Sequence, residues 1–246
     1  MKVFRIILIV VSLSFMNCTD NNDLGPQVVF LNTLDVYLED ATFETGAVIA
    51  CAGNTGGGNS VRTIFYPAPG MTNFRLFASD ASNDPNDHSE YEITEAINFG
   101  LFNGALNAFD NILSSEKWFI VTAELNDEIK LSDPIRVKHI TKPTTLIQDL
   151  NINFFDSLTP TFQWSDSADT EDVIYFEVVS DIDDNMLSGT YTQDPTFVYY
   201  DTSNVVLNIT QGTPTQLTAG NQYIVSVMGI SADNWINVFI TESFIP

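Results

Sequence analysis

The side chains best suited to chemistry in this sequence are carboxylates gathered in turns. Asp80-Ala81-Ser82-Asn83-Asp84-Pro85-Asn86-Asp87 is rich in oxygen donors of the kind a hard cation selects. Asp80, Asp84 and Asp87 are therefore candidate calcium ligands, and Asp166–Asp172 and Asp181–Asp184 offer similar sets. None has the order of an EF-hand, because the first lacks both the central glycine and the closing glutamate. The competing expectation is a solvated acidic turn whose Asp and Asn side chains cap their own backbone. Catalysis has less to build on: His88 and His139 are the two histidines. Neither stands beside a G-x-S-x-G turn, an H-E-x-x-H helix or a phosphate-cradling glycine loop. Cys51 sits in Ala47-Val48-Ile49-Ala50-Cys51-Ala52, an apolar run in which a thiol behaves as a small hydrophobe. The reading is of a non-enzyme.

Charge narrows the partners. The chain has 246 residues with 9 basic and 32 acidic side chains, and 44% of it is hydrophobic. Phosphate backbones would be repelled, which excludes nucleic acid; divalent cations and basic partners would be attracted. The apolar content is ample for a core, so the acidity belongs to the surface.

These residues have to be positioned on strands. Short runs of β-branched and aromatic residues, closed by Gly, Asn, Asp or Pro, recur without any sustained helical period. In the first half the runs are Val28–Leu31, Ala47–Ala52, Val61–Tyr66, Phe74–Ala78, Tyr91–Thr94, Trp118–Glu124, Glu128–Leu131 and Ile135–Ile140. Residues 96–113 read equally as a short helix or a strand pair. After the polar stretch Thr141–Thr145 come Leu150–Phe155, Thr161–Trp164, Val173–Val179, Met186–Tyr191, Phe197–Tyr200, Val205–Ile209, Tyr223–Ile230 and Val238–Phe244. That spacing predicts an all-β chain of two sandwiches, 27–142 and 143–246.

Ahead of them lies an export signal. Lys2 and Arg5 precede the apolar run Ile6–Val11, which is too short to span a bilayer and suits a cleavable leader. Ser14-Phe15-Met16-Asn17-Cys18 resembles a relaxed lipobox, although Asn17 replaces the usual small residue. That resemblance implies removal of 1–17 and lipidation of Cys18, with 18–26 as an acidic tether; an ordinary secretory signal is the alternative. Acids just after the cysteine resemble the signal that carries lipoproteins of the Bacteroidota to the cell surface. The mature chain would hold seven basic residues against 32 acidic ones, a net charge of −25.

The second block resembles a fibronectin type III domain. Thr159-Pro160-Thr161-Phe162-Gln163-Trp164 is similar to that family's second strand with its core tryptophan, and Ile174-Tyr175-Phe176-Glu177-Val178 to the third, whose aromatic packs on it. Leu217-Thr218-Ala219-Gly220-Asn221-Gln222-Tyr223 is similar to the run leading into the sixth strand. The resemblance implies that the Tyr223 hydroxyl ties to backbone upstream. The first block looks like a divergent immunoglobulin-like relative, with Trp118 in place of that tyrosine. The whole chain looks like surface lipoproteins of flavobacteria, which implies place and architecture but no activity.

Within that frame, Asp233, Asn234 and Trp235 fall between the sixth and seventh strands, in a loop such domains often offer to partners. Trp235 is expected either to stack on a sugar or anchor a protein, or to fold over the sandwich edge and cover core. Asp156-Ser157-Leu158 and Asp166-Ser167-Ala168 resemble an O-glycosylation acceptor. The expected function is an accessory or adhesive module for an outer-membrane or extracellular protein partner, with membrane contact through the lipid. Glycan capture is the alternative, and a small hydrolase comes third.

Overall fold

A computed structural model describes residues 33–246 apart from 57, 148–149, 156–157, 166–171, 200–204 and 211. The expected leader, Cys18, the tether, the strand Val28–Leu31, and the Asp156-Ser157 and Asp166–Ala168 acceptors lie outside the described residues.

The chain is all-β and forms two immunoglobulin or fibronectin type III-like sandwiches. The first begins with a single helical turn, α1 (Leu34–Leu38), followed by β1 (Phe43–Glu44), β2 (Ala50–Asn54), β3 (Ser60–Phe65), β4 (Thr72–Asp80) and β5 (Glu92–Ile93). It continues with β6 (Asn98–Leu101), β7 (Leu106–Ile112), β8 (Lys117–Leu125), β9 (Glu128–Leu131) and β10 (Ile135–Arg136). The ambiguous stretch 96–113 is thus a strand pair, joined by a 3-10 turn at Phe102–Gly104. One sheet has the order β1-β9-β8-β4-β5, with β10 also on β8; the other is β2-β3-β7-β6. Pro134 has no N–H to donate, which fits the break between β9 and β10.

The second sandwich contains β11 (Thr145–Ile147), β12 (Leu150–Asn153), β13 (Thr161–Trp164), β14 (Asp172–Asp181) and β15 (Met186–Thr192). β16 (Thr196–Val198), β17 (Val205–Asn208), β18 (Tyr223–Ser231) and β19 (Ile236–Phe244) complete it. A three-stranded sheet, β12-β13-β16, faces a six-stranded one, β11-β19-β18-β14-β15-β17. Trp164 meets Tyr175 edge-on at 5.2 Å, and the Tyr223 hydroxyl accepts the Thr218 N–H at 2.9 Å. Both contacts are the ones the fibronectin resemblance implies.

Alternation along the strands shows how the sandwiches meet. On β14, Tyr175 and Val179 point into the second sandwich, while Phe176 and Val178 point outward. On β18, Val225 and Val227 point inward and Met228 and Ile230 outward. The outward set is not solvated, because it packs on Cys51, Leu106 and Ile64 from the outer face of the β2-β3-β7-β6 sheet. The two sandwiches therefore stack sheet on sheet. α1 covers the opposite outer face, laying Leu34, Tyr37 and Leu38 on Phe77, Ile120 and Leu131. A sheet covered on both faces reads as a nearly continuous apolar run, which is the character of Tyr223–Ile230. Each large side chain buried between the sandwiches contributes roughly 1.5–3 kcal/mol, so the junction is a second core and not a loose tether.

Candidate functional site

The expected ligand loop is the β18–β19 hairpin, and its Trp235 is fully buried. The ring enters the core of the first sandwich with Val48, Ala52, Val61 and Phe119. Its Nε1 donates to the Lys142 carbonyl at 2.8 Å. Asn234, at φ 62°, supplies the left-handed residue that turns the hairpin. Its carbonyl accepts the Ala52 N–H at 3.1 Å and its Nδ2 donates to the Pro134 carbonyl at 3.2 Å. Asp233 accepts the Lys138 Nζ at 2.9 Å, and its own carbonyl accepts the Arg136 N–H. The expectation that Asp233, Asn234 and Trp235 face a ligand is therefore corrected. They fasten one sandwich to the other, and Trp235 does cover core, but that of the neighbouring sandwich.

Thr144 continues the seam. Its Oγ1 accepts the Asn54 N–H at 2.9 Å and donates to the Ile236 carbonyl at 2.7 Å, while its own N–H goes to Asn54 Oδ1. At the far end of the stacked sheets, Asn103 donates to the Asp183 carbonyl and to Asn185 Oδ1. Bonds at both ends of the junction hold the sandwiches in one register.

The calcium candidates do not converge. Asp80 accepts from the N–H and hydroxyl of Ser82, Asp84 from the N–H of Asn86, and Asp87 from the N–H and hydroxyl of Ser89. Each carboxylate closes its own turn, and the Ser82 and Ser89 bonds hold Asp80 and Asp87 below the ordinary carboxylate range. Among the described residues no three His, Cys, Asp or Glu side chains gather as metal ligands would. The turn from Asp181 has the same character, with Asp181 accepting the Asn185 and Asp183 N–H groups.

Several groups that chemistry would use are sequestered, whereas His88 is half-buried against Phe43 at 6.1 Å. Burial pushes the Cys51 thiol up to about 12. His139 is 4% exposed, with neither ring nitrogen bonded to a hydroxyl or thiol. The carboxyl of Glu177 is fully buried, and desolvation raises its affinity for a proton well above that of a free glutamate. The Thr192 hydroxyl, donating at 2.8 Å, only partly offsets this.

The other end of the second sandwich, where Asn103 reaches the Asp183–Asn185 turn, holds a concavity. A cleft of about 460 Å³ lies between the Asp181–Asp183 turn and the loop Thr215–Gln222, with Tyr223 in its wall. Its polar groups are Asp181, Asp183, Gln216, Asn221 and Gln222. Tyr223 packs on Phe244 at 5.8 Å, and Phe244 on Phe154 at 6.3 Å, so a line of rings links the cleft to an apolar shoulder. On that shoulder Phe155 is 95% exposed and Ile245 60% exposed. A smaller, apolar concavity of about 280 Å³ opens at the sandwich junction between Gly53, Thr144, Ile236 and Phe239. Its cation, Arg62, is already held by both Asp110 oxygens at 2.8 Å.

The sequence reading singled out Asp181–Asp184 and the run into Tyr223 but not the apolar rings beside them, although Phe154-Phe155 at a strand terminus, with no alternation to bury both rings, was a usable signal.

No family model matches this chain, and no curated protein matches it. The chain is similar to solved fibronectin domain arrays. One is the chicken CNTN1 FN1-FN3 domains, at 12% identity over 83% of this chain and 68% of that one, with a TM-score of 0.27. A two-domain fibronectin type III segment of chicken tenascin shows 13% identity over 81% and 97%, with a TM-score of 0.25. At these scores the assignment of the fold rests on the sheets, the Trp164–Tyr175 contact and the Tyr223 corner.

Proposed function

We propose that this protein is a non-enzymatic, surface-displayed lipoprotein, anchored through Cys18, that serves as an accessory or adhesive module and grips a protein partner with the cleft end of its second sandwich. Domains of this fold are commonly binding or adhesive modules. The observation that carries the reading is the apolar shoulder of Phe154, Phe155 and Ile245 beside a polar cleft. Apolar anchors ringed by hydrogen-bonding groups are the composition of a protein-binding patch. The hairpin end of this sandwich is buried in the first, and at the cleft end the first reaches the Asp183–Asn185 turn through Asn103. The acidic turns beside the cleft favour a partner with basic residues at its rim.

The test is a photo-crosslinking residue at Phe155 in the full chain on intact cells, with Ile112 on the first sandwich as control. A discrete protein adduct from Phe155 and none from Ile112 is expected. Adducts from neither, with the protein at the surface, would overturn the reading. The exposed Phe155 ring also suits stacking on a sugar. Retention on a polysaccharide that is lost in Phe155→Ala would transfer the site to glycan capture.

A further inference from the structure

The stacked sheets leave two adjoining concavities at the junction, of about 280 Å³ and about 150 Å³. Arg62, Ile64, Met228 and Phe239 line both, so the two are one groove. The larger opens beside Leu146, which is 64% exposed. Phe102 and Asp184 line only the smaller and so mark the end away from Leu146. A mostly apolar groove between two packed bodies, with a few polar groups, has the composition of a small-molecule site.

Those polar groups decide what it selects. Asn54, Thr55 and Thr144 spend their side chains on bonds within the protein. Arg62 and Asp184 are the charged residues of the lining, and Arg62 is matched by both oxygens of Asp110. Asp184 differs from Asp80, Asp84, Asp87 and Asp181: its carboxylate closes no turn and takes no hydrogen bond from a described residue. The groove thus keeps one negative charge, in a chain of net charge −23. Phe102 shares its end with Asp184, and its backbone stands at φ 50°, a conformation a bulky residue rarely adopts. Asn103, left-handed as well at φ 52°, holds that turn by its bonds to the Asp183 carbonyl and Asn185 Oδ1. An aromatic ring and a carboxylate together at the end of an apolar groove are the pair that recognises an ammonium.

We propose that the groove binds a small amphipathic amine, with its apolar body against Ile64, Met228 and Phe239 and its ammonium between Asp184 and Phe102. An anion is repelled by the same carboxylate and by the charge of the whole chain. A neutral alcohol fills the groove and leaves Asp184 unmatched. The groove shares no lining residue with the cleft at Tyr223, so the proposal stands whether or not Phe155 contacts a partner.

The test is isothermal titration of the full chain carrying Cys18→Ser, so that no detergent competes for the probes: octylammonium, octanol and octanoate, which share one chain length. Octylammonium is expected to saturate a single site and to bind about tenfold or more tighter than the other two. Leu146→Trp sets a large ring at the mouth of the larger concavity and keeps every charge; it should weaken octylammonium by about tenfold or more. Asp184→Asn should bring octylammonium to the level of octanol. Asp127→Asn removes the same charge from the β8–β9 turn and should leave binding intact. Asp184 and Asp127 are both exposed, so neither substitution disturbs the core. Octanol or octanoate binding as tightly as octylammonium, no saturable binding of octylammonium, binding indifferent to Leu146→Trp, or equal effects of Asp184→Asn and Asp127→Asn would each overturn the proposal.

Discussion

Two buried polar groups show how single residues are held in this protein. The Tyr223 hydroxyl receives the Thr218 N–H, and Tyr223→Phe would leave that donor without its partner. A loss of about 1–2 kcal/mol is expected, read as a shift in the midpoint of urea unfolding at unchanged slope. Glu177 sits on the central strand β14 with threonine hydroxyls as its hydrogen-bond donors. In the unfolded chain a glutamate releases its proton at about 4.3, whereas in the fold burial keeps the proton bound to higher pH. Between those two points the folded state holds more protons than the unfolded one, so stability falls as pH rises through the window. Glu177→Gln should remove that part of the slope and be more stable than the parent at neutral pH. Unfolding midpoints measured from pH 4 upward would check it, and parallel curves for the two proteins would show that Glu177 ionises freely in the fold.

At the scale of elements, the β18–β19 hairpin and the Thr144 linker do for the junction what the Tyr223 corner does within one sandwich. Gly53 lies where β2 meets β19: a Cβ there would stand 2.9 Å from Ile236 Cβ and 3.0 Å from Thr144 Oγ1. Gly53→Ala should therefore push the sandwiches apart and cost about 1–3 kcal/mol. Because the junction is a second core, the parent is expected to melt in one transition, with calorimetric and van't Hoff enthalpies equal. Gly53→Ala should split or broaden that transition; two well-separated transitions in the parent would show the sandwiches to be independent. Most strands were legible in sequence because each is a short local run closed by a turn former, and Trp164, Tyr175 and Tyr223 could be assigned from the pattern around them. The brief strands β1 and β11 were not, being two and three residues that pair in parallel with β9 and β19 far along the chain. The calcium candidates were legible as turns, but whether three carboxylates converge depends on backbone path, and here each bonds its own neighbour two residues on.

For the whole molecule, the acidic surface is set by composition, and the proposed lipid anchor has a direct test. Cys18→Ser is expected to abolish incorporation of labelled palmitate and move the protein from the membrane fraction to the soluble one. Membrane retention of the unlabelled variant would end the lipoprotein reading. The sequence by itself determined the class of structure, the acidic surface and the fibronectin-like corner, because each depends on residues within a few positions of one another. Only the tertiary structure decided that the hairpin end of the second sandwich is buried in the first. Trp235 reaches Ala52 and Lys142 across long stretches of chain, and a tryptophan in a loop tip looks the same in sequence whether solvent or a second core receives it. The apolar outer faces of β14 and β18 announced that something must cover them, since leaving Phe176, Val178, Met228 and Ile230 in water would cost roughly 1.5–3 kcal/mol each. That the cover is the first sandwich, and that the hairpin is consumed in fastening it, follows from shape complementarity between two faces that no local pattern encodes.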